Sequence, residues 1–179
     1  ACMLAKVIAG VGFGTLVATS AVAACDLAGL MRISADRLQS LQHRDVDMTR
    51  AESSEGGHWD VYLRQDGTLH TIVRKDFGET GMRNLRASFR TADQFVVVAT
   101  DVRYREPIAS GARTKIARSD ATVYLFCGNV VYAPASLSAE GGGEKAVAAA
   151  KSLKSDILLP PEVAPYLSRA RKDEKSRAD

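Results

Sequence analysis

The stretch from Glu55 to Phe89, EGGHWDVYLRQDGTLHTIVRKDFGETGMRNLRASF, restricts the fold of this chain more than any other. Apolar and polar residues alternate in three runs, separated by an Asp-Gly turn at 66–67 and a Gly-Glu-Thr-Gly turn at 78–81. A period of two predicts strands that bury one face, and short turns between such strands predict antiparallel hairpins. The stretch therefore predicts three consecutive strands of an antiparallel meander.

The register of the first hairpin follows from its turn. A three-residue loop at 65–67 keeps the apolar residues on one face and puts Gly67 in the left-handed bulge position. A two-residue loop would set Trp59 opposite Arg74, on the wrong face. We therefore predict the three-residue loop. Its cross-strand pairs are Leu63–Leu69, Val61–Thr71 and Trp59–Val73.

The remaining patterns extend the meander and add a helix at each end. The third strand is predicted at 82–90, and further strands follow at 95–104, 121–127 and 130–133. Leucines at helical spacing predict a helix over 27–43, before an irregular polar segment at 44–54, and an Ala- and Lys-rich run predicts another over 144–155. The predicted fold class is α+β, mainly β: a six-stranded antiparallel meander, as a curved sheet or a partly open barrel.

The first 24 residues have the composition of an export signal. Lys6 supplies a positive start, Val7 to Ala24 carries no charge, and small residues precede Cys25. We predict a signal at 1–24, an N-terminal helix and linker at 25–50, the meander at 51–134, and a helix with a charged tail at 135–179. The chain has 24 Lys and Arg against 21 Asp and Glu, a balance that does not favour nucleic acid as a partner.

Two cysteines remain after the signal, Cys25 and Cys127, and they leave two interpretations open. The segment 22–25, Val-Ala-Ala-Cys, resembles the lipobox of bacterial lipoproteins, so Cys25 is a candidate for lipidation. Ordinary cleavage before Cys25 predicts instead a Cys25–Cys127 disulfide, because export leads to an oxidising compartment. The expected location is therefore periplasmic or exported, with membrane contact only through a lipid on Cys25 or an uncut signal.

Several short motifs resemble a family of small exported bacterial proteins of unknown function. They are Glu55-Gly56-Gly57, Tyr62, Asp66-Gly67, Leu69, Ile72, Gly78-Glu79-Thr80-Gly81 and Tyr104 to Ile108. The resemblance covers roughly residues 50 to 133. It implies export, by a signal peptide or a lipobox, and it implies no activity.

Residues with catalytic or ligand chemistry are few. Predicted on one sheet face, His58 and His70 lack the further converging ligands that a metal site needs, so we predict no metal and no cofactor. Glu79, in a glycine-flanked turn, and Cys127 are the only candidates for catalysis, and neither has an evident second group. Three aromatic residues are candidates for a ligand face inside the curved sheet: Trp59, Phe89 and Tyr124.

The function expected from these patterns is non-enzymatic binding in the cell envelope, with an envelope protein or a small apolar ligand as the partner. One alternative is a structural protein that docks through its helices. Another is a periplasmic enzyme that uses Glu79 or Cys127.

Overall fold

The computed structural model describes residues 25–49, 55–108, 115–133 and 143–168, so the predicted signal at 1–24 lies outside the described residues. Seven strands form one antiparallel sheet in chain order. They are β1 (Gln42–Asp47), β2 (Gly57–Leu63), β3 (Leu69–Gly78), β4 (Gly81–Phe89), β5 (Gln94–Tyr104), β6 (Ile116–Cys127) and β7 (Val130–Tyr132). Helix α1 spans Leu27–Ser34, helix α2 spans Gly143–Leu158, and a short helical segment follows at 164–168.

The predicted meander is confirmed in its class, but it has seven strands rather than six. The additional strand is β1, which falls where a helix end and an irregular segment were predicted. Its sequence, QHRDVD, contains one apolar residue, Val46, which packs against the core opposite Trp59. Charged side chains suit an edge strand because they discourage pairing with other chains. The same charges hide the strand from a search for alternating apolar residues.

The N-terminal helix is shorter than the 27–43 predicted. Asp26 caps its start by accepting a hydrogen bond from the Gly29 amide at 2.8 Å. The helix ends at Ser34, whose hydroxyl donates to the Met31 carbonyl at 2.7 Å. A serine hydroxyl bound to the preceding turn competes with continued helix. The chain then turns back to the sheet, and Leu38 and Leu41 do not continue the helical face.

One face of the sheet, here called the core face, is covered by α2. Cross-strand partners point to the same side of a sheet, which allows the two faces to be assigned from the register. Ala150, Leu153 and Ile157 of α2 join the core, with Val163 beyond it. The sheet contributes Trp59, Val61, Leu69, Ile72, Leu85, Phe89, Phe95, Val97, Tyr124 and Phe126. Each such side chain contributes about 1.5–3 kcal/mol by burial.

The opposite face, here called the α1 face, is partly covered by the N-terminal helix, which lies against β4 and β5. Leu30 of α1 is fully buried. Arg90 forms an ion pair with Asp26 at 2.7 Å, and Arg86 donates to the Asp36 carbonyl at 2.7 Å. These contacts fix both ends of α1 on the sheet.

The predicted register of the first hairpin is only partly right. Gly67 has φ +80° and Leu63 pairs with Leu69, as expected of the three-residue loop. A bulge then shifts the register between Tyr62 and Leu63, so Trp59 lies opposite Arg74 rather than Val73. The bulge adds one residue to β3, which reverses the face of every residue after it.

The sheet is open, with β1 at one edge and β7 at the other. The described strands therefore form an open sheet and do not close into a barrel. β7 is short and pairs only with Leu125, Phe126 and Cys127 of β6. Most of β6 therefore forms the outer strand at this end of the sheet.

Candidate functional site

An open cleft of about 700 Å³ lies beside the turn between β3 and β4. Three of its side chains, Asp76, Arg83 and Asp101, are successive cross-strand neighbours on the core face. Arg74, two residues before Asp76, donates to the Asp156 carbonyl of α2 at 3.0 Å. The cleft therefore begins where α2 stops covering the core face. It is lined by Asp76, Gly78, Thr80, Gly81, Met82, Arg83, Asp101, Val102, Arg103, Arg118 and Asp120.

Gly81 is required for the close approach of β4 to β5 at the floor of this cleft. A Cβ atom at Gly81 would collide with the backbone carbonyl oxygen of Val102. Gly81 lies directly opposite Arg103. The side chain of Arg103 consequently has no neighbouring side chain at this position of β4.

The cleft is lined by three arginines and three aspartates, and most of these charges are paired. Arg118 lies 2.5 Å from Asp120, and Arg83 lies 3.9 Å from Asp101. Asp76 is neutralised by Arg74, whose Nε lies 2.8 Å from its carboxylate. In the part of the chain that the structure describes, Arg103 has no ion pair and is exposed. The arrangement leaves one cation available to an incoming anion.

The chemistry of the cleft suits binding of an anionic group. A guanidinium presents its donors as a planar fork that matches a carboxylate or a phosphate in two hydrogen bonds. Gly78 and Gly81 line the cleft without adding side-chain bulk. Along β5, Val97 and Ala99 belong to the core, whereas Asp101, the next residue on the same face, lines the cleft. The boundary between the apolar core and the polar cleft therefore falls between residues 99 and 101.

A second polar cluster lies on the α1 face, centred on Asp60 of β2. Lys75 Nζ donates to its carboxylate at 2.8 Å, and the Nε2 atoms of His43 and His58 lie at 2.7 and 3.2 Å. The His43 ring stacks on Tyr62 with 5.0 Å between centroids. These contacts join β1, β2 and β3, so the cluster fastens the edge strand to the sheet.

Asp60 is buried, with 6% of the residue exposed. Burial acts to raise its pKa, but the hydrogen bonds from Lys75 and His43, with the charges of Lys75 and His58, outweigh burial and hold the pKa below the usual value. Burial also raises the pKa of the Tyr62 hydroxyl, and the nearby Asp60 charge adds to that effect. The groups of the cluster satisfy one another, which is typical of a structural network.

Replacing Asp60 with asparagine should lower the free energy of unfolding by about 1–3 kcal/mol at neutral pH, because Lys75 and His43 lose a charged acceptor. It should also flatten the acid limb of stability. A depressed carboxylate pKa stabilises the fold above the unfolded value of about 3.9, and this contribution is lost as pH falls through the lower folded pKa. Urea unfolding from neutral pH down to about pH 2 tests both effects.

The matched control is Asp93→Asn, which removes an exposed carboxylate from the turn before β5. Exposed substitutions of this kind change stability by about 0.5 kcal/mol or less. If the unfolding free energy of Asp60→Asn falls with decreasing pH as steeply as that of the wild type, the assigned role of the carboxylate is wrong.

The three histidines do not come together. His70 shares the α1 face with His58, but it is buried rather than solvent-facing, and it contacts Asp36 at 3.1 Å and Thr71 at 2.8 Å. Burial and the charge of Arg64 lower the pKa of His70, against the effect of Asp36. His58 lies opposite Lys75. No group of three or more metal-ligating side chains occurs within the described ranges.

The aromatic residues predicted as a ligand face belong to the core. Trp59 and Phe89 are each 1% exposed and Tyr124 is 5% exposed, beneath α2. Phe89, Phe95 and Phe126 stack in a row across three strands, with ring centroids 5.2 and 4.5 Å apart. Their burial argues against a ligand face, since α2 fills the space that an apolar ligand would need.

Cys25 and Cys127 are joined by a disulfide, with their Cα atoms 6.0 Å apart. The bond tethers the start of α1 to the end of β6 on the α1 face. Of the two interpretations that the sequence left open, the geometry favours the disulfide. A sulfur in a disulfide is not a free nucleophile, which removes the basis for catalysis by Cys127.

Glu79 lies exposed at the tip of the turn between β3 and β4. Its backbone carbonyl accepts a hydrogen bond from the Ile108 amide at 2.9 Å, which fixes the segment after β5. The residue flanks the cleft, and its carboxylate is not part of the cleft wall. The turn predicted at 78–81 is confirmed. The hydrogen bond to its backbone carbonyl gives Glu79 a structural role in this turn.

Sequence reasoning did not find the cleft or Arg103. The available signal was the alternation of charged residues in the last half of β5 and the first half of β6, where Asp101 and Arg103 face Asp120 and Arg118. A strand that carries charges on the face where its other half carries core residues indicates an uncovered part of the sheet. The charged parts of β5 and β6 line the cleft.

No family model, curated protein or solved structure matches this chain. The resemblance to a family of small exported proteins therefore stays a prediction. Among the described residues, neither helix combines the length and the apolar composition needed to cross a bilayer.

Proposed function

We propose that this protein is an exported, disulfide-bonded binding protein of the cell envelope, which holds a small carboxylate-bearing ligand in the cleft beside the β3–β4 turn. The observation that carries the proposal is Arg103, an exposed and unpaired cation among the described residues, inside a cleft of about 700 Å³. Ligand sites of drug-sized molecules have volumes of about 300–1,000 Å³, with a few polar groups that fix orientation. The volume of the cleft lies within this range.

The nature of the ligand follows from the charges around Arg103. Arg83 and Arg118 already have carboxylate partners, so a single anionic group suffices to balance the cleft. Asp101 and Asp120 would repel a second anionic group on the same ligand. The cleft therefore favours a monoanion or a zwitterion over a polyanion such as a nucleotide or nucleic acid. A small peptide with a free carboxyl end has this chemistry.

Export supports the proposal from the sequence side. The uncharged segment at 7–24 predicts a signal, and a disulfide forms and persists in oxidising compartments. Lipidation at Cys25 and disulfide formation exclude each other, since both use the same sulfur. We therefore propose a periplasmic or exported chain that is held by its disulfide rather than by a lipid. Docking of a partner through the helices finds less support, because α1 and α2 both pack on the sheet.

Titration of the oxidised protein with alanyl-alanine, N-acetylalanine and succinate tests the proposal. In ¹H–¹⁵N correlation spectra, the amide signals of Gly78, Gly81 and Arg103 should shift most. Arg103→Gln should weaken binding of the monoanion about tenfold or more, because a bidentate charged contact is worth about 1.5–3 kcal/mol. Succinate should bind more weakly than N-acetylalanine.

The matched control is Arg44→Gln, which removes an exposed cation from β1, remote along the sheet from the cleft. It should leave the titration unchanged. Shifts spread evenly over the surface, or equal affinity in the Arg103 and Arg44 variants, would rule out the cleft as the site.

A further inference from the structure

Among the described residues, no strand covers most of the outer edge of β6. β7 pairs only with residues 125–127, and within the described ranges no other strand pairs with β6 on that side. Residues 116–121 are all exposed, which is unusual for six consecutive residues of a sheet. An edge of this length is a template for pairing with another strand.

The direction of the free backbone groups can be worked out from the neighbouring pairs. The Gly128 amide donates to the Asp93 carbonyl at 2.8 Å, one step beyond the pair Gln94–Cys127. Hydrogen-bonded and non-bonded pairs alternate along an antiparallel ladder. Even-numbered residues of β6 from 118 onwards therefore bond to β5, and odd-numbered residues from 119 to 123 direct their amide and carbonyl groups outwards. Below Arg118 the register shifts, which leaves Ala117 without a partner on β5.

Two of these outward positions, Ser119 and Ala121, carry small side chains, and so does Ala117 at the register shift. The even positions beside them carry opposite charges, Arg118 and Asp120, which are 73% and 53% exposed. A second copy placed antiparallel about Ser119 sets Arg118 opposite Asp120 of the second copy, twice by symmetry. It also sets Ala117 opposite Ala121, so no bulky side chain opposes the backbone contact.

We propose that the free edge of β6 pairs with the same edge of a second copy of this chain, about a twofold axis through Ser119. Charge fixes this register. Moving the axis by one residue sets Arg118 opposite itself in one direction and Asp120 opposite itself in the other, and like charges directly opposite are destabilising. A self-complementary strand is what a twofold interface requires.

The pairing has a consequence for the cleft, because Arg118 and Asp120 form one of its walls. A twofold axis perpendicular to the sheet keeps the same face outward in both copies. The two clefts then lie side by side across the axis, and each wall receives the charged pair of the other copy. The pairing is independent of any ligand, so its test separates it from the binding function proposed above.

Reversal of each charge tests the register directly. Arg118→Asp and Asp120→Arg should each weaken self-association about tenfold or more, because each creates two like-charge contacts. An equimolar mixture of the two variants should restore dimers, and each dimer should contain one copy of each variant. One variant carries carboxylates at positions 118 and 120, and the other carries guanidinium groups at both positions. Sedimentation velocity should be run without ligand, at protein concentrations on the order of 100 µM, since a small interface is weak.

Two further variants complete the design. Lys151→Asp reverses an exposed charge on α2 and should dimerise like the wild type. Ser119→Pro removes an amide that points away from β5, so the fold should survive while dimers are lost. A wild type that is monomeric under these conditions overturns the proposal and leaves the edge to a strand of another protein. Undiminished dimers in Arg118→Asp, or no dimers in the mixture, overturn it equally.

Discussion

Replacing Cys127 with serine should lower the free energy of unfolding by about 2–5 kcal/mol, and Cys25→Ser should do the same. The disulfide joins residues 102 positions apart, so it restricts almost the entire unfolded sheet. In the folded state it also ties the start of α1 to the end of β6. Urea unfolding can be followed by the fluorescence of Trp59, the only tryptophan of the chain.

Reductant provides the internal control for this prediction. Wild-type protein unfolded with reductant should match the serine variants, and the double variant Cys25→Ser/Cys127→Ser should not respond to reductant. The intact mass of protein from its own host should rise by two hydrogens on reduction. A mass increase that matches an acyl modification would instead make Cys25 a lipidated residue. A stable Cys127→Ser variant would show that the tether contributes little.

The turns and the central strands could be predicted from the sequence because their signals are local. Gly67 at a left-handed turn position and the apolar run at the start of β5 each depend on residues within a few positions of one another. These local signals predict the same turns and strands regardless of how the rest of the chain packs. They were sufficient for the antiparallel meander and for its order.

The register of β2 and β3 could not be predicted, because the bulge contradicts the apolar pattern. The pattern places Val73 on the core face, whereas the structure places Arg74 there. A buried arginine is acceptable only when its charge is balanced and its donors are bonded. Asp76 of β3, the Trp59 ring of β2 and the Asp156 carbonyl of α2 supply those partners, and the carbonyl lies outside the hairpin.

The same reason explains why the candidate site was missed. The aromatic residues of the sheet suggested a ligand face because the position of α2 was not known. Because α2 brings Leu153 and Ile157 into the same core as Trp59, the apolar face is core, and the charged part of the sheet lines the cleft. The position of the cleft depends on where α2 ends on the sheet. This position is set by tertiary packing, and the periodicity of a single strand carries no information about it.

The ion pair between Arg74 and Asp76 leads to the second large expected effect. Arg74 is 5% exposed and Asp76 is 6% exposed, and two hydrogen bonds of 2.8 and 3.1 Å join them. The guanidinium also lies 5.4 Å from the Trp59 ring centroid. Removing one partner of a buried pair leaves an uncompensated charge and costs about 3–5 kcal/mol. Asp76→Ala should therefore lower the free energy of unfolding by that amount.

The double variant Arg74→Met/Asp76→Ala should recover a large part of the loss, because it leaves no buried charge and keeps an apolar side chain against Trp59. Asp101→Ala, two strands away on the same face and exposed, is the matched control and should change stability by about 0.5 kcal/mol or less. Urea unfolding of the wild type, Asp76→Ala, Arg74→Met and the double variant gives the coupling energy between the two residues. The loss of unfolding free energy in the double variant could instead equal the sum of the losses in the two single variants. The two residues would then act through separate contacts, and α2 and Trp59 rather than Asp76 would hold the arginine on the core face.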